Sequence, residues 1–248
     1  MDPGMIRNKI LERIRASEKA LGILMIDPSE VLVELAGRMG LDFVMFDGQH
    51  WPLTPQRLGT LCAIADGFDI TPIMRVADQS ESAILSSLDK GIRLIIVPNL
   101  RTREEAEALV KYTYFAPIGA RSATSKRTAL SQEEGGRSKL YEQVNANTML
   151  VPQLEHIETL ENVEEILDVD GIDYFEPGLE DQAQSMGLPG QAHSAVVRDA
   201  WNECTEKVRA AGKYLLADYV EYVDAFASLK QDAQALLDKH GRRSRLSN

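Results

Sequence analysis

The apolar residues of this chain come in short unbroken runs, with stretches of helical periodicity between them. Leu21–Ile26, Phe43–Asp47, Pro72–Val76 and Leu94–Pro98 are the first four runs. The intervening segments read as helices: Pro28-Ser29-Glu30 through Met39, Thr54–Ala65, Ser80–Leu88 and Arg103–Tyr112. A strand that is apolar throughout, rather than at every second residue, is covered on both faces. That is the signature of a parallel sheet with helices on both sides.

The same pattern continues after an interruption. Tyr114–Thr148 is rich in Gly, Ser, Arg and Lys, with a helical piece near Ser138–Val144. A connection of this length in a compact domain is usually functional or mobile. Strands follow at Met149–Glu155 and Ile172–Pro177, with an amphipathic stretch between them that carries Leu160, Val163, Ile166 and Leu167. A long helix is predicted over Ser194–Ala211, a seventh strand over Tyr214–Ala217, a weak eighth over Val223–Ser228 and a closing helix over Leu229–His240. Ile6–Lys19 reads as an N-terminal helix. Eight strands with intervening helices predict a (β/α)8 TIM barrel, one domain over residues 1–248. The competing reading is an open doubly wound sheet. No G-x-G-x-x-G follows the first strand, which argues against a dinucleotide-binding version.

Composition narrows the class of partner. The formal net charge is −11, whereas binding nucleic acid needs a basic surface. No apolar run approaches the length of a membrane span, and Met1–Ala20 is charged throughout, unlike a signal peptide. The two cysteines, Cys62 and Cys204, are expected to be reduced thiols, and the expected location is the cytoplasm.

In a parallel barrel the residues after each strand converge on one face, where such folds place their chemistry. Those residues are Asp47, Gln49 and His50 after the second strand and Arg75 at the end of the third. Gln153 and Glu155 close the fifth, and Gly178, Leu179, Glu180 and Asp181 follow the sixth. Glu155 and Asp181 are two carboxylates that could seat a hard divalent cation. Arg75 offers a planar fork for a carboxylate. His50 carries an imidazole that can move a proton, and Asp47 could fix its tautomer. Backbone N–H groups at Gly178–Glu180 could form an anion nest. Each residue also has an ordinary structural reading. Asp181 could cap a turn, and a single His or Arg at a strand end is commonly a surface residue or a salt-bridge partner. His156 and Glu158 are alternative ligands, read here as the solvated start of the next helix.

Several motifs together resemble the HpcH/HpaI aldolases, metal-dependent class II pyruvate aldolases on a (β/α)8 barrel. Leu41-Asp42-Phe43-Val44-Met45-Phe46-Asp47-Gly48-Gln49-His50 resembles the family's fDfv-iD-EH strand, and Pro72–Val76 its P-vRv. Leu88-Asp89-Lys90-Gly91 with Ile95–Pro98 is similar to LD-Ga---ivP, and Tyr114–Arg121 to YpP-G-RG. Val151–Glu155 is similar to v-QiE, and Gly171–Gly187 to GvD-vfiGp-DL----G. The resemblance covers about Gly22–Gly187. It implies that Glu155 and Asp181 bind the metal (Mg2+ or Mn2+, with Co2+ a further candidate). It implies that Arg75, Gln153 and the backbone of Gly178, Leu179 and Glu180 contact a pyruvyl group, and that His50 with Asp47 is the acid/base. Asp89 and Arg121 would reach a neighbouring subunit's site. A homo-oligomer is implied, a hexamer or trimer of dimers, with the last helix exchanged between subunits. The departures are Gln49 for Glu, Ser122 for Gly, Leu179 and Gln182 beside the metal Asp, and a final strand without its usual glycine.

The expected activity is a metal-dependent carbon–carbon lyase, similar to 2-dehydro-3-deoxyglucarate or 4-hydroxy-2-oxoheptanedioate aldolase. Its substrates would be a 2-oxo acid of the pyruvate or oxaloacetate kind and an aldehyde or other acceptor. The alternatives are a citrate-synthase-like condensation of a 2-oxo acid with an acyl thioester, and a binding protein that has lost catalysis. Lys213 is the one lysine placed near a strand end, which makes lysine-based aldol chemistry the weaker reading.

Overall fold

The structure is a computed structural model that describes residues 6–51, 53–123 and 136–247. The strands are β1 (Ala20–Met25), β2 (Phe43–Asp47), β3 (Thr71–Arg75), β4 (Leu94–Val97), β5 (Met149–Leu154), β6 (Tyr174–Pro177), β7 (Tyr214–Leu215) and β8 (Val220–Asp224). Every paired neighbour is parallel, and the order is β7-β6-β5-β4-β3-β2-β1-β8. The last strand lies beside the first, so the sheet curls on itself as in a TIM barrel. No ladder joins β7 to β8 among the described residues. A 3-10 turn, Leu216–Asp218, occupies that seam. Tyr214 and Tyr219 meet edge-to-face across it at 5.7 Å.

The helices are α1 (Lys9–Arg15), α2 (Glu30–Met39), α3 (Pro55–Gly67), α4 (Glu81–Lys90), α5 (Arg103–Thr113) and α6 (Gly136–Ala146). They continue with α7 (Ile157–Glu161), α8 (Val163–Leu167), α9 (Leu179–Ser185), α10 (Ala195–Ala210) and α11 (Ala225–Lys239). Side-chain oxygens set several starts. Ser29, Thr54, Ser80 and Thr102 each accept a backbone N–H of the first turn, and Thr102 forms a capping box with Glu105. Gly40 and Gly91 end α2 and α4 in the left-handed conformation.

Strand alternation divides the core and explains the unbroken apolar runs. Phe43, Ile73, Leu94, Ile96, Met149, Val151 and Val220 pack together as one cluster. The residues between them turn the other way. Val44, Phe46 and Met74 pack on Val33, Leu58, Leu61 and Ala65 of α2 and α3. Ile95, Val97, Leu150, Leu154 and Phe175 pack on Ala106, Leu109, Ile166 and Val208 of the helices outside. The first cluster is therefore the barrel interior and the other two are its sheath. Continuing the interior parity along each strand brings Asp47, Arg75, Gln153, Glu176 and Tyr222 to the inner face.

The predicted boundaries shift at the termini. The N-terminal helix is Lys9–Arg15, shorter than Ile6–Lys19, because the Asn8 side chain accepts the N–H groups of Ile10 and Leu11 and begins it late. Its end falls before Ser17, which has φ 59. The eighth strand is Val220–Asp224, not Val223–Ser228. Asp224 Oδ1 accepts from the N–H groups of Phe226 and Ala227, which makes those residues the first turn of α11. The amphipathic segment after β5 is broken at Asn162 into α7 and α8. Residues 124–135 of the predicted long connection lie outside the described residues. Among the described residues no helix is long and apolar enough to cross a membrane.

Candidate active site

Glu155 stands one residue beyond β5 and is 1% exposed. Its Oε1 accepts the backbone N–H of Asn99 at 2.7 Å. Asn99 follows β4 with φ 60, a conformation that asparagine tolerates better than most residues. Its place in the pocket was not foreseen from the sequence. Glu155 Oε2 is buried and has no hydrogen-bond partner. Burial pushes this carboxyl up to about 7, and the charge of Asp181 adds to the effect. Asp181 is exposed, in the first turn of α9.

Gly178, between β6 and α9, lies against Glu155. A Cβ there would come within 2.1 Å of Glu155 Oε2 and 2.5 Å of its Cβ, so only glycine permits this approach. Gly178 has φ −136, and no residue from 178 to 180 has positive φ. The expected anion nest, which alternates right- and left-handed residues, therefore does not form. The open N–H groups at Leu179 and Glu180 are those of the first turn of α9.

Asp47 and Arg75 are register partners on β2 and β3. Arg75 Nε donates to Asp47 Oδ1 at 3.1 Å and Nη2 to Oδ2 at 2.5 Å. Asp47 Oδ1 also accepts the backbone N–H groups of Gln49 and His50. Burial acts to raise the Asp47 carboxyl. The hydrogen bonds and charge of Arg75 outweigh it, and Asp47 sits below its ordinary value. The expectation that Asp47 orients the His50 imidazole is corrected here, because the carboxylate is committed to Arg75 and to backbone. The reason is local: β2 ends on an inward-facing residue, and the chain turns at Gly48, whose N–H bonds the Arg75 carbonyl. His50 is exposed beyond that turn. The fork of Arg75 predicted for a substrate is half used, which leaves its Nη1 side.

Gln153 is buried with an unpartnered Oε1, and Gln49 Oε1 is in the same condition. Glu176, not selected from the sequence, shares the inner face. It is the register partner of Gln153, and its Oε2 is buried without a partner. The signal for it was strand parity: Phe175 packs outward, so Glu176 turns inward.

The remaining expected residues lie elsewhere. Arg121 Nη2 pairs with Asp89 Oδ1 at 2.9 Å, and the guanidinium lies over the Phe115 ring at 4.7 Å. His156 caps α7, its Nδ1 accepting from the Glu158 N–H. Lys213 Nζ donates to the Ile172 carbonyl at 2.7 Å. Lys213 precedes β7, and so lies at the end of the barrel opposite the site.

Among the described residues, no group of three or more His, Cys, Asp or Glu side chains could hold a metal by itself. Mg2+ and its relatives commonly take one or two protein carboxylates and complete their shell with water and substrate. Glu155 and Asp181 supply two carboxylates, and the orphaned Glu155 Oε2 is an oxygen with no other use. The donor set fits such an ion.

The sequence profile of the HpcH/HpaI aldolase/citrate lyase family matches residues 20–243. The chain is 30% identical over 209 residues to a 2-keto-3-deoxy-L-rhamnonate aldolase of Escherichia coli, covering 84% of this chain and 78% of that one. Among solved structures, citrate synthase SbnG superposes with a TM-score of 0.81 at 26% identity, over 96% of this chain and 98% of that one. An HpcH/HpaI aldolase from Desulfitobacterium hafniense DCB-2 gives 0.85 at 16% identity, over 96% and 98%, which is a likeness of fold. A profile match across most of the barrel, together with a relative aligned over most of both chains, decides the family: this chain belongs to the HpcH/HpaI aldolase/citrate lyase family.

Proposed function

We propose that this protein is a divalent-metal-dependent aldolase acting on a 2-oxo acid. The observation that carries the reading is Glu155, a buried carboxyl with one oxygen fixed by Asn99 and the other without a partner. A cation of the Mg2+ or Mn2+ kind (Co2+ would also suit oxygen ligands), held by Glu155 and Asp181, supplies Lewis acidity to the keto oxygen when bound. The Nη1 side of Arg75 holds the substrate carboxylate, and Asp47 keeps the guanidinium in place. Gln153 and the backbone from Gly178 to Glu180 line the pyruvyl end. His50, at the open mouth, removes the proton from the hydroxyl of the cleaved carbon. The carbon–carbon bond breaks, an aldehyde leaves, and the electron pair remains on the 2-oxo acid fragment. The acceptor would meet Trp51, Leu53 and Thr54 on one side and Ser122 and Ala123 on the other. Asp89 and Arg121 are assigned to a neighbouring subunit's site in a homo-oligomer.

Relatives named as aldolases of a deoxy keto acid support this reaction class. The likeness to a citrate synthase supports a second reading, condensation of a 2-oxo acid with an acyl thioester. Oxaloacetate offered with acetyl-CoA separates the two, because condensation releases a free thiol.

The direct test is thermal unfolding with Mn2+ and pyruvate. At a hundred times Kd a ligand stabilises by about 2.7 kcal/mol, which for a chain of this length is roughly 5–10 °C in Tm. Mn2+ should raise Tm, pyruvate should add to the rise only when Mn2+ is present, and Glu155→Ala should lose both effects. Wild-type protein that responds to neither ligand would overturn the reading.

A further inference from the structure

Glu176 is a buried carboxyl inside the barrel that the roles assigned above leave unused. Its neighbours define its situation. On β5 it faces Gln153, its register partner. On β3 Arg75 lies close enough to act on its charge. On β8 Tyr222 is close enough to be raised, after burial, by the charge of Glu176. Tyr222 stands beside Phe43, its ring 6.4 Å away at 74°, which places it on the interior face. Asp47 is paired with the Arg75 guanidinium, and Glu155 lies two residues beyond Gln153. None of the described groups donates a hydrogen bond to Glu176 Oε2.

The charges around Arg75 do not balance once a substrate arrives. One guanidinium already serves the Asp47 carboxylate through two hydrogen bonds. A 2-oxo acid placed on its Nη1 side brings a second negative charge. An ionised Glu176, whose Oε2 is buried, would be a third, and like charges held this close repel. A neutral carboxyl removes that conflict, and its O–H adds a donor beside several unpaired acceptors. Gln49 Oε1, Gln153 Oε1 and Glu155 Oε2 are all acceptors without donors.

We propose that Glu176 is a further substrate-binding residue, which meets the 2-oxo acid beside Arg75 as a neutral carboxylic acid and donates a hydrogen bond to it. This rests on the 2-oxo acid reading above. Burial pushes the Glu176 carboxyl up to about 7, with Arg75 pulling against it. Anion binding is then coupled to holding a proton at Glu176, and weakens as pH rises above that value.

The test is the Kd of pyruvate for the Mn2+-saturated full chain, by calorimetry at pH 6 and pH 8, in wild type, Glu176→Gln and Glu176→Ala. Glutamine keeps a donor of the same shape and cannot ionise. Glu155 and saturating Mn2+ are present in all three proteins, so the comparison at each pH reads the effect of changing Glu176. Wild type should bind about tenfold more weakly at pH 8 than at pH 6, from the fraction of Glu176 still protonated. Glu176→Gln should bind at both pH values as wild type does at pH 6, and Glu176→Ala more weakly at both. A Glu176→Gln protein with the full wild-type pH dependence overturns the proposal, as does Glu176→Ala binding as tightly as wild type at pH 6. If no variant binds pyruvate with Mn2+ present, the 2-oxo acid reading fails instead. Unfolding curves of the three proteins verify that each is folded.

Discussion

The most constrained contact in the pocket is between Gly178 and Glu155. The missing Cβ leaves room for the Glu155 carboxyl, so Gly178→Ala must push that side chain off its position against Asn99. Overpacking of this kind costs about 1–3 kcal/mol, which a barrel of this size tolerates. Displacing a proposed metal ligand is a different matter, because altering even a supporting group of a metal site weakens binding by about 10–100-fold. Gly178→Ala is expected to unfold cooperatively and to bind Mn2+ at least about tenfold more weakly by calorimetry. Unchanged affinity would show that Glu155 is not a ligand. Residues of this kind were only partly legible in the sequence. Glu155, Asp181 and Arg75 stood out because they end or follow strands. Glu176 lies inside a strand, where only the parity set by Phe175 shows that it faces the pocket. The Asp47–Arg75 pair joins residues on separate strands, and the register that makes them neighbours is a tertiary property.

Among the elements, the strands that are apolar on both faces were readable, because double burial leaves a continuous run. β8 was not. Its residues Val220-Glu221-Tyr222-Val223-Asp224 carry two acids, and most of them are exposed. The 3-10 turn stands where a ladder to β7 would run. The helix that follows is more telling. α11 has no buried residue, yet Phe226, Leu229 and Leu236 are 61%, 68% and 60% exposed. At spacings of three and seven residues they lie on one stripe, and a stripe of large apolar side chains left in water marks an interaction surface. A second copy of the chain is the partner expected. Light scattering on the eluting protein should give a mass above 27.5 kDa. Replacing Phe226, Leu229 and Leu236 together by serine should lower that mass, at little cost to the barrel, since none of the three is in its core. A monomeric wild type would remove the homo-oligomer from the proposal.

At the scale of the whole molecule, the site sets how stability responds to pH. Glu155 and Glu176 both have folded-state values of about 7 against an ordinary 4.5, raised chiefly by burial. Below the ordinary value both carboxyls are protonated in the folded and the unfolded chain, and their contribution is fully present. Between 4.5 and about 7 the unfolded chain gives up these protons while the folded chain keeps them, so stability is lost as pH rises through this window. Each group can account for up to about 3 kcal/mol of that loss. Asp47 has the opposite sign: its lowered value gives stability that is lost only at more acid pH. The metal-free protein should therefore show a falling Tm from pH 5 to pH 8. Growing net charge contributes to such a fall in any acidic chain, so the decisive quantity is a difference between proteins. Glu176→Gln should flatten the slope in metal-free protein, because an amide has no proton to lose. Mn2+ should flatten it further, because a cation between Glu155 and Asp181 favours the ionised form that burial opposes. A slope that neither change moves would mean that these carboxyls are ionised at neutral pH in the folded chain. Glu176 could then not act as a hydrogen-bond donor to an anionic substrate. Holding their charges would then cost the barrel no stability, because a carboxyl whose pKa is the same in the folded and unfolded chain leaves no pH dependence.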